Sequence, residues 1–229
     1  MTVRTMAMAQ AIAGTLGFPS KMPGTSYGIP AQACGVGGKL REIKGSTCEN
    51  CYAYERGNYG FKSTQLSQQT RLDSLQREQW IEAMVFMLRH HHGLDGGKVH
   101  FKMKDALWHR WHDSGDLQSL DHLNAIIAVC EGTPEIQHWL PTREVGILRA
   151  WEKANGRAID AAAPNLCVRV SATMVDGAAS SHFANTSRVR GKASEAGADD
   201  CPARHQGNEC GACRKCWDRG NPNTTYPIH

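Results

Sequence analysis

Seven of the nine cysteines in this chain fall into two groups whose spacing is typical of metal ligands. The first group is Cys34, Cys48 and Cys51, and the second is Cys201, Cys210, Cys213 and Cys216. Because nine is an odd number, a complete set of disulfides would leave one thiol unpaired. Pairs of cysteines separated by two residues favour metal binding in a reducing compartment. We therefore expect zinc or an iron–sulfur cluster.

The second group has the spacing C-x8-C-x2-C-x2-C, in the string CPARHQGNECGACRKC. Three thiolates in so short a loop would crowd one small zinc ion, whereas a cubane spreads its irons over a larger body. We interpret these residues as ligands of a [4Fe–4S] cluster, with Cys201 as the fourth ligand. Zinc and the absence of any metal remain the alternatives.

The first group has the spacing C-x13-C-x2-C and no evident fourth ligand. Three cysteines on a cubane would leave one iron open to an exogenous ligand, as catalytic zinc keeps an open position. The alternative is a single shared site, with Cys34 as a buried free thiol. Either one cluster or two is therefore expected. Cys130 and Cys167 lie in a predicted helix and a predicted strand, where we expect them to be core residues.

The elements that must position these groups alternate between short apolar strands and helices. Strands are predicted in ALWHRWHD, IQHWLP and NLCVRVSATMV, and helices in LDHLNAIIAVCEG and VGILRAWEKANG. This alternation is typical of βαβ units, so we predict an α/β fold with a parallel sheet, in the form of a partial (β/α) barrel. A further helix is predicted over 65–92, and its three final histidines are expected to face solvent. Residues 18–47 are predicted to be irregular, with a short strand near Lys39–Ile43.

Polar residues end each predicted strand, at the sheet edge where ligands bind in α/β folds. His112, Asp113 and Asp116 follow the first strand and are candidates for acid–base catalysis or for binding an amine. Arg143 follows the second and is a candidate clamp for a carboxylate or phosphate.

The alternatives for these strand ends are structural. Asp116 would cap the next helix, and Arg143 would pair with Glu144. Ser171, in the third strand, is a candidate ligand-binding residue, or an ordinary polar residue at the lip of the sheet. Tyr52, beside Cys51, is a candidate cofactor-binding residue that would shield a cluster from water, although packing alone would also explain it.

The bulk composition places few limits on function. The chain has 229 residues, 41% of them hydrophobic, and no apolar run of the ~20 residues that a membrane helix needs. We find no signal peptide and expect a cytoplasmic protein without a membrane partner. The net charge of +4 neither supports nor excludes nucleic-acid binding. We expect residues 1–175 to form the barrel and residues 176–229 to form an irregular linker and a cysteine-rich segment docked on it.

Several strings together resemble the phage and prophage "gene product eighty-eight" family, which is largely uncharacterised. They are SKMPGTSYGIPAQAC, GSTCENCYA, RWHDSGDLQS, WLPTRE, VRVSAT and CPARHQGNECGACRKCW, within residues 20–217. The resemblance implies a phage-encoded protein that acts in the cytoplasm of the bacterial host.

The first cysteine group is also similar to that of radical S-adenosylmethionine (SAM) enzymes, which place three cluster cysteines in a loop of a partial (β/α) barrel. Cys48, Cys51 and Tyr52 match that arrangement, but the family spacing is C-x3-C-x2-C, and Ser114–Asp116 is at best an analogue of its glycine-rich motif. The resemblance implies SAM as a cofactor, and these departures count against it. The second group would then correspond to an auxiliary cluster.

The sequence thus favours an iron–sulfur protein that performs redox or radical chemistry on a small, unidentified ligand, with a further protein as electron donor. The rival hypothesis is a non-catalytic zinc or iron–sulfur protein that binds host protein or nucleic acid. Arg188, Arg190 and Lys192 give that rival some support.

Overall fold

The computed structural model describes residues 2–54, 57–191 and 197–228 and contains one parallel β-sheet. Its strands are β1 (Thr25–Tyr27), β2 (Trp108–Trp111), β3 (Gln137–Thr142), β4 (Leu166–Val175), β5 (Thr186–Arg190) and β6 (Asn223–Pro227). All five pairings are parallel, and the spatial order β1-β2-β3-β4-β5-β6 is the order along the chain. Each connection therefore advances by one strand in the same direction. The sheet is open, since β1 and β6 form its two edges.

Six α-helices accompany the strands within the described residues. They are α1 (Met6–Ala13), α2 (Val36–Leu40), α3 (Lys62–Ser74), α4 (Trp80–His91), α5 (Leu120–Glu131) and α6 (Val145–Asn155). Side chains cap the N-termini of two of these helices. Thr5 caps α1 by accepting from the amide of Met8, and Ser119 caps α5 by accepting from the amide of His122. None of the described helices is both long and apolar enough to cross a membrane.

The two faces of the sheet are covered differently. On one face the helices and strands bury a large apolar core that includes Tyr27, Trp80 and Trp111. On the other face Trp139 packs with Cys216 and Trp217 of the cysteine-rich segment. We call residues 201–221 the C-terminal cysteine segment and the face that it covers the inner face. The second cysteine group thus lies directly against the sheet.

The strands and helices with the clearest pattern are confirmed. The three predicted strands are β2, β3 and β4, and the two helices between them are α5 and α6. The predicted helix over 65–92 is instead two helices, α3 and α4. The turn between them lets both Ser74 Oγ and Trp80 Nε1 reach the hydroxyl of Tyr27, each at 3.1 Å, and this explains the break.

Other predictions of local structure were wrong. The short strand expected near Lys39–Ile43 is absent, and the helix α2 overlaps that position. The linker expected to be irregular contains β5, and with β6 it continues the sheet past residue 175. His92, which was predicted to face solvent at the end of a helix, is buried. Its two ring nitrogens bond Thr25 Oγ1 and the amide of Leu107. Lys192 lies outside the described residues.

Candidate metal centre at the carboxyl edge of the sheet

The first cysteine group gathers at the carboxyl ends of the strands. Cys34 ends the short turn that follows β1, and Cys48 and Cys51 lie in the loop after α2. The sulfurs of Cys34 and Cys48 each lie 3.6 Å from the position that a Cβ at Gly37 would occupy, so they are at most twice that distance apart. Cys51 is near enough for its thiolate charge to raise the pKa of Cys34. The three thiols therefore share one neighbourhood, next to a glycine that leaves room between two of them.

The loop that carries Cys48 is fixed to β4 by its neighbour Thr47. The Thr47 amide donates to the carbonyl of Thr173 at 2.9 Å, and its hydroxyl donates to that of Ala172 at 3.1 Å. The Nε of Arg143, just after β3, donates to the same hydroxyl at 3.1 Å. Thr47 thus bonds Arg143 and Thr173, which lie 96 and 126 residues further along the chain. Through Thr47, the ends of β3 and β4 fix the position of Cys48.

Arg143 and burial act in opposite directions on these thiols. Burial raises the pKa of Cys34 to about 12 and also raises that of Cys48, while the Arg143 guanidinium lowers both. Without a metal these two thiols are protonated at neutral pH. Metal binding there would release protons, as it does at thiolate sites generally.

Asp116 lies near Cys34, but its carboxylate already accepts hydrogen bonds from one hydroxyl and two backbone amides. It accepts from the hydroxyl of Thr142 at 2.6 Å, the amide of Arg143 at 2.9 Å and the amide of Leu117 at 2.8 Å. Burial raises the pKa of Asp116 to about 6. These contacts hold the end of β3, which is a structural role. The alternative that Asp116 caps the next helix is wrong, because Ser119 caps α5.

Glu144 does not pair with Arg143 among the described residues. Its Oε1 accepts from the amide of Val36 at 2.7 Å instead, and the carboxylate lies next to Gly35 at the start of α2. A carboxylate at this end of a helix is favourable because the first amides lack partners in the helix. Glu144 thus links β3 to the helix that carries Gly37.

His112 and Asp113, both predicted at the site, face different surroundings. His112 has a φ of 53° and packs edge-on against His122 of α5, at 5.4 Å between ring centroids. Neither nitrogen of its buried ring has a hydrogen-bond partner among the described residues. Burial lowers its pKa well below the usual value. Its side chain is therefore turned toward a helix, and the structure does not bring it together with the cysteines.

Asp113 lies against β1 on the same edge. Its Oδ1 fills the place that a Cβ at Gly28 would take, and this buried oxygen has no hydrogen-bond partner among the described residues. The Asp113 carbonyl accepts from the hydroxyl of Tyr59 at 3.2 Å. Tyr59 in turn contacts Tyr52, with ring centroids 5.7 Å apart. Asp113 and Tyr52 are thus linked through Tyr59 at the border of the first cysteine group.

Ser171 lies deeper along β4. Its hydroxyl accepts from that of Ser187 on β5 at 3.0 Å, and the two residues are register partners. Within the described residues, Ser171 makes no hydrogen bond to the first cysteine group. The structure thus brings Arg143, Asp116 and Tyr52 near the three cysteines and leaves Ser171 and His112 apart.

The second cysteine group is assembled around β6 and the segment that follows β5. The amide of Cys201 donates to the carbonyl of Thr225 at 2.7 Å, and that of Cys213 donates to Cys210 at 2.9 Å. The Sγ of Cys216 lies 3.0 Å from the hydroxyl of Tyr226. Burial raises the pKa of Cys216 to about 12, and the charges of Cys201 and Cys210 raise it further.

Arg169 holds the C-terminal cysteine segment on the inner face, and it was not among the residues predicted to be functional. This fully buried side chain of β4 donates to five carbonyl oxygens, on Thr186, Lys215, Cys216, Asp218 and Asn221. Trp217 adds a bond from its Nε1 to the carbonyl of His109 at 2.8 Å. The signal in the sequence was an arginine inside the apolar run CVRV.

No group of three or more His, Cys, Asp or Glu side chains in the described parts of the chain is arranged to hold a metal ion as it stands. The donor chemistry nevertheless suits an iron–sulfur cluster, because seven thiols fall into one group of three and one group of four. A cubane also needs space between its ligands, and Gly37 leaves such space between Cys34 and Cys48.

Comparison with known proteins identifies the family. The family model described as gene product 88 matches residues 4–219, so the chain belongs to that family. No curated protein and no solved structure matches the chain.

Proposed function

We propose that this member of the gene product 88 family is an iron–sulfur protein of the bacterial host cytoplasm. It performs redox or radical-type chemistry on a small ligand at the carboxyl edge of its sheet. The observation that carries the proposal is that the thiols within each group lie near one another, one group at that edge and one beside the inner face. Cysteines are otherwise used in the core, as Cys130 and Cys167 are.

The first group would hold a [4Fe–4S] cluster through Cys34, Cys48 and Cys51. With three protein ligands, such a cluster supplies one-electron chemistry and an iron that is open to an exogenous ligand. Burial raises the pKa of Cys34 and Cys48, and the protein's part is to offset some of that rise through the charge of Arg143. The paired rings of Tyr52 and Tyr59 would limit the access of water beside Cys51.

The second group would hold a further [4Fe–4S] cluster through its four cysteines. Four protein ligands leave no open iron, so this cluster would be structural or would relay electrons from a protein donor. Contact with the inner face suits a structural cluster, because the cluster would join the segment to the sheet. It also suits an electron relay, because solvent exposure and hydrogen bonds to sulfur set the reduction potential of a cluster.

A partial (β/α) barrel is the finer form of the fold that we propose. Parallel strands in sequential order are the arrangement found in such barrels. In the proposal the C-terminal cysteine segment fills the interior of the barrel, and α1 to α6 form its outside. The similarity to radical-SAM enzymes belongs to the same proposal and rests on the position of Cys48, Cys51 and Tyr52.

SAM itself has weaker support. Ser114, in the segment compared with the glycine-rich motif, donates to the carbonyl of Ile29 at 2.8 Å and accepts from Gln68 at 2.5 Å. Asp116 is engaged by three donors. Because both side chains already have partners, we leave SAM out of the leading proposal and make it an outcome of the test.

The interaction-protein hypothesis has less support from charge than the sequence indicated. Arg188 pairs with Asp199 at 3.3 Å, and Arg190 pairs with Asp200 at 2.8 Å. These arginines are therefore balanced by carboxylates and are poor candidates for phosphate contacts. A nucleic-acid affinity that falls steeply with salt would still favour this rival.

The test is a comparison of two cysteine variants purified without oxygen. Cys48→Ala should lower iron and acid-labile sulfide per chain by about one cluster, or about four irons. Cys130→Ala, a core cysteine in α5, should leave both unchanged. Unchanged iron and sulfide in Cys48→Ala would overturn the assignment of the first group.

A further inference from the structure

Arg110 of β2 carries a positive charge that no acidic group of the described residues pairs with. Its guanidinium lies over the ring of Trp139 on the inner face, at 4.5 Å. The Nη1 donates to the sulfur of Met22 at 3.3 Å, and the buried Nε has no hydrogen-bond partner among the described residues. Neither Asp113 nor any other described carboxylate lies within ion-pair distance of it.

Arg110 is half-buried, and the two buried arginines of the described residues are bonded differently. Arg169 donates to five carbonyls, and Arg71 donates to the carbonyls of Thr15 and Gly28 at 2.8 and 3.0 Å. A thioether is a weak acceptor, so the bond to Met22 does little to replace water around a cation. Water reaches only part of this half-buried guanidinium, and an anion would supply the acceptor that its buried Nε lacks.

The polar neighbours of Arg110 place it between the two cysteine groups. Burial acts to lower the pKa of Arg110, whereas Tyr52, Asp113, Tyr59 and Tyr226 are close enough to raise it above its usual value. Tyr52 follows Cys51 directly in the chain, and Tyr226 contacts Cys216. A ligand at the carboxyl edge that reached onto the inner face would meet Arg110 close to the first group.

We propose that Arg110 binds an oxyanion of the ligand, so that the substrate is a small carboxylate or phosphate compound. This inference deepens the proposed function and rests on it for the position of the reacting centre. The planar guanidinium matches the two oxygens of either anion, and its stacking on Trp139 fixes its orientation.

A second explanation is that Arg110 balances the charge of metal-bound thiolates. Burial raises the pKa of Cys210, and the charge of Arg110 offsets part of that rise. The two explanations differ in what the arginine is needed for. If it balances thiolates, its loss should lower the iron content, whereas a ligand-binding arginine should leave the iron content unchanged.

The experiment titrates the protein, purified with its metal, with inorganic phosphate and separately with acetate. Tryptophan fluorescence is the signal, because Trp139 lies beneath the guanidinium. We expect a saturable change with at least one of the two anions, and the anion that works identifies the chemical class. The affinity should weaken at least about tenfold in Arg110→Gln and less in Arg110→Lys.

The matched control is Arg157→Gln, because Arg157 is an exposed arginine 5.4 Å above Trp151. It should bind as the wild type does. No saturable change in the wild type, or equal affinity in Arg110→Gln, would overturn the proposal, and so would loss of iron together with binding. If Arg110→Gln does not fold, equal affinity in wild type and Arg110→Lys would overturn it. If protein purified without oxygen held no iron but still bound an anion through Arg110, the proposed function would fail and this site would stand.

Discussion

The Nη2 of Arg169 donates to the carbonyl of Lys215 at 2.9 Å and so joins β4 to the C-terminal cysteine segment. The same side chain reaches four further carbonyls in that segment and in β5. One buried arginine thus supplies four hydrogen bonds to a segment that is too short to bury a core of its own. Its loss should loosen the part of the segment that carries Cys216.

Arg169→Met should therefore be strongly destabilising. It leaves several buried carbonyls without donors, at a cost of about 1–3 kcal/mol for each group that water cannot reach. We expect the free energy of unfolding, measured with urea, to fall by at least about 3 kcal/mol.

Arg219→Met is the control for that experiment. Arg219 also donates to two carbonyls, but it is exposed, so water can replace it. Its loss should cost less than about 1 kcal/mol. Equal effects of the two substitutions would contradict the anchoring role of Arg169.

Two adjacent glycines of α2 provide a matched pair for the first cysteine group. A Cβ at Gly37 would lie 3.2 Å from the Cβ of Cys34 and 3.6 Å from the sulfurs of Cys34 and Cys48, whereas a Cβ at Gly38 meets nothing within 4 Å. Gly37→Ala should lower iron per chain, because the methyl group enters the space between the thiols. Gly38→Ala should keep the iron and stabilise the helix by about 0.5–1 kcal/mol.

Iron and sulfide analysis of both variants, with circular dichroism to check folding, tests this prediction. If Gly37→Ala kept its full iron content, the space beside Gly37 would not be needed for a cluster.

The buried His92 predicts a loss of stability in acid. Burial lowers its pKa from 6.5 to about 4. As the pH falls below about 6.5, the unfolded chain takes up the proton first, so the contribution is complete above that pH and is lost as the pH falls through about 4. The loss should amount to roughly 3 kcal/mol for this one side chain.

His92→Gln should consequently be less stable than the wild type at pH 7, because two hydrogen bonds are disturbed, but the difference should shrink toward pH 4. Urea unfolding at a series of pH values measures this. His205→Gln, at an exposed position, serves as the control. A difference that stayed constant from pH 7 to pH 4 would show that His92 is not responsible.

The contact between Tyr226 and Cys216 predicts a change in reduction potential. A hydroxyl that donates to a metal-bound sulfur stabilises the reduced cluster. Tyr226→Phe should therefore shift one potential to a more negative value in a redox titration followed by EPR. Tyr54→Phe, whose ring packs under Arg41 at 3.5 Å, is the control and should not shift that potential. An unchanged potential in Tyr226→Phe would argue against a cluster on the second group.

The sequence was most informative where the pattern of apolar residues was long. It predicted β2 to β4 with α5 and α6, because these elements are amphipathic or apolar over enough residues to show a period. It missed β1, β5 and β6, which have three, five and five residues and lie among glycine, proline and polar residues. Such short strands are defined by pairing with a neighbour, which no local pattern reports.

The candidate site was predicted in the same uneven way. Cysteine spacing identified both groups of thiols, because close thiols are informative in any fold. Arg110 and Arg169 were not identified, although each is a lone arginine inside an apolar strand run. The side chain of His112 was expected at the ligand edge, but its positive φ turns it toward α5. Side-chain direction at a strand end depends on one backbone angle that the sequence did not reveal.

The measurement that tests the central claim most directly is iron, zinc and acid-labile sulfide per chain in protein purified without oxygen, with EPR spectra before and after SAM is added. We predict about eight irons with matching sulfide for two clusters. A change of the spectrum with SAM would add radical chemistry, and an unchanged spectrum would indicate another use of the first cluster. Stoichiometric zinc without sulfide would contradict the iron–sulfur assignment and favour the interaction-protein alternative.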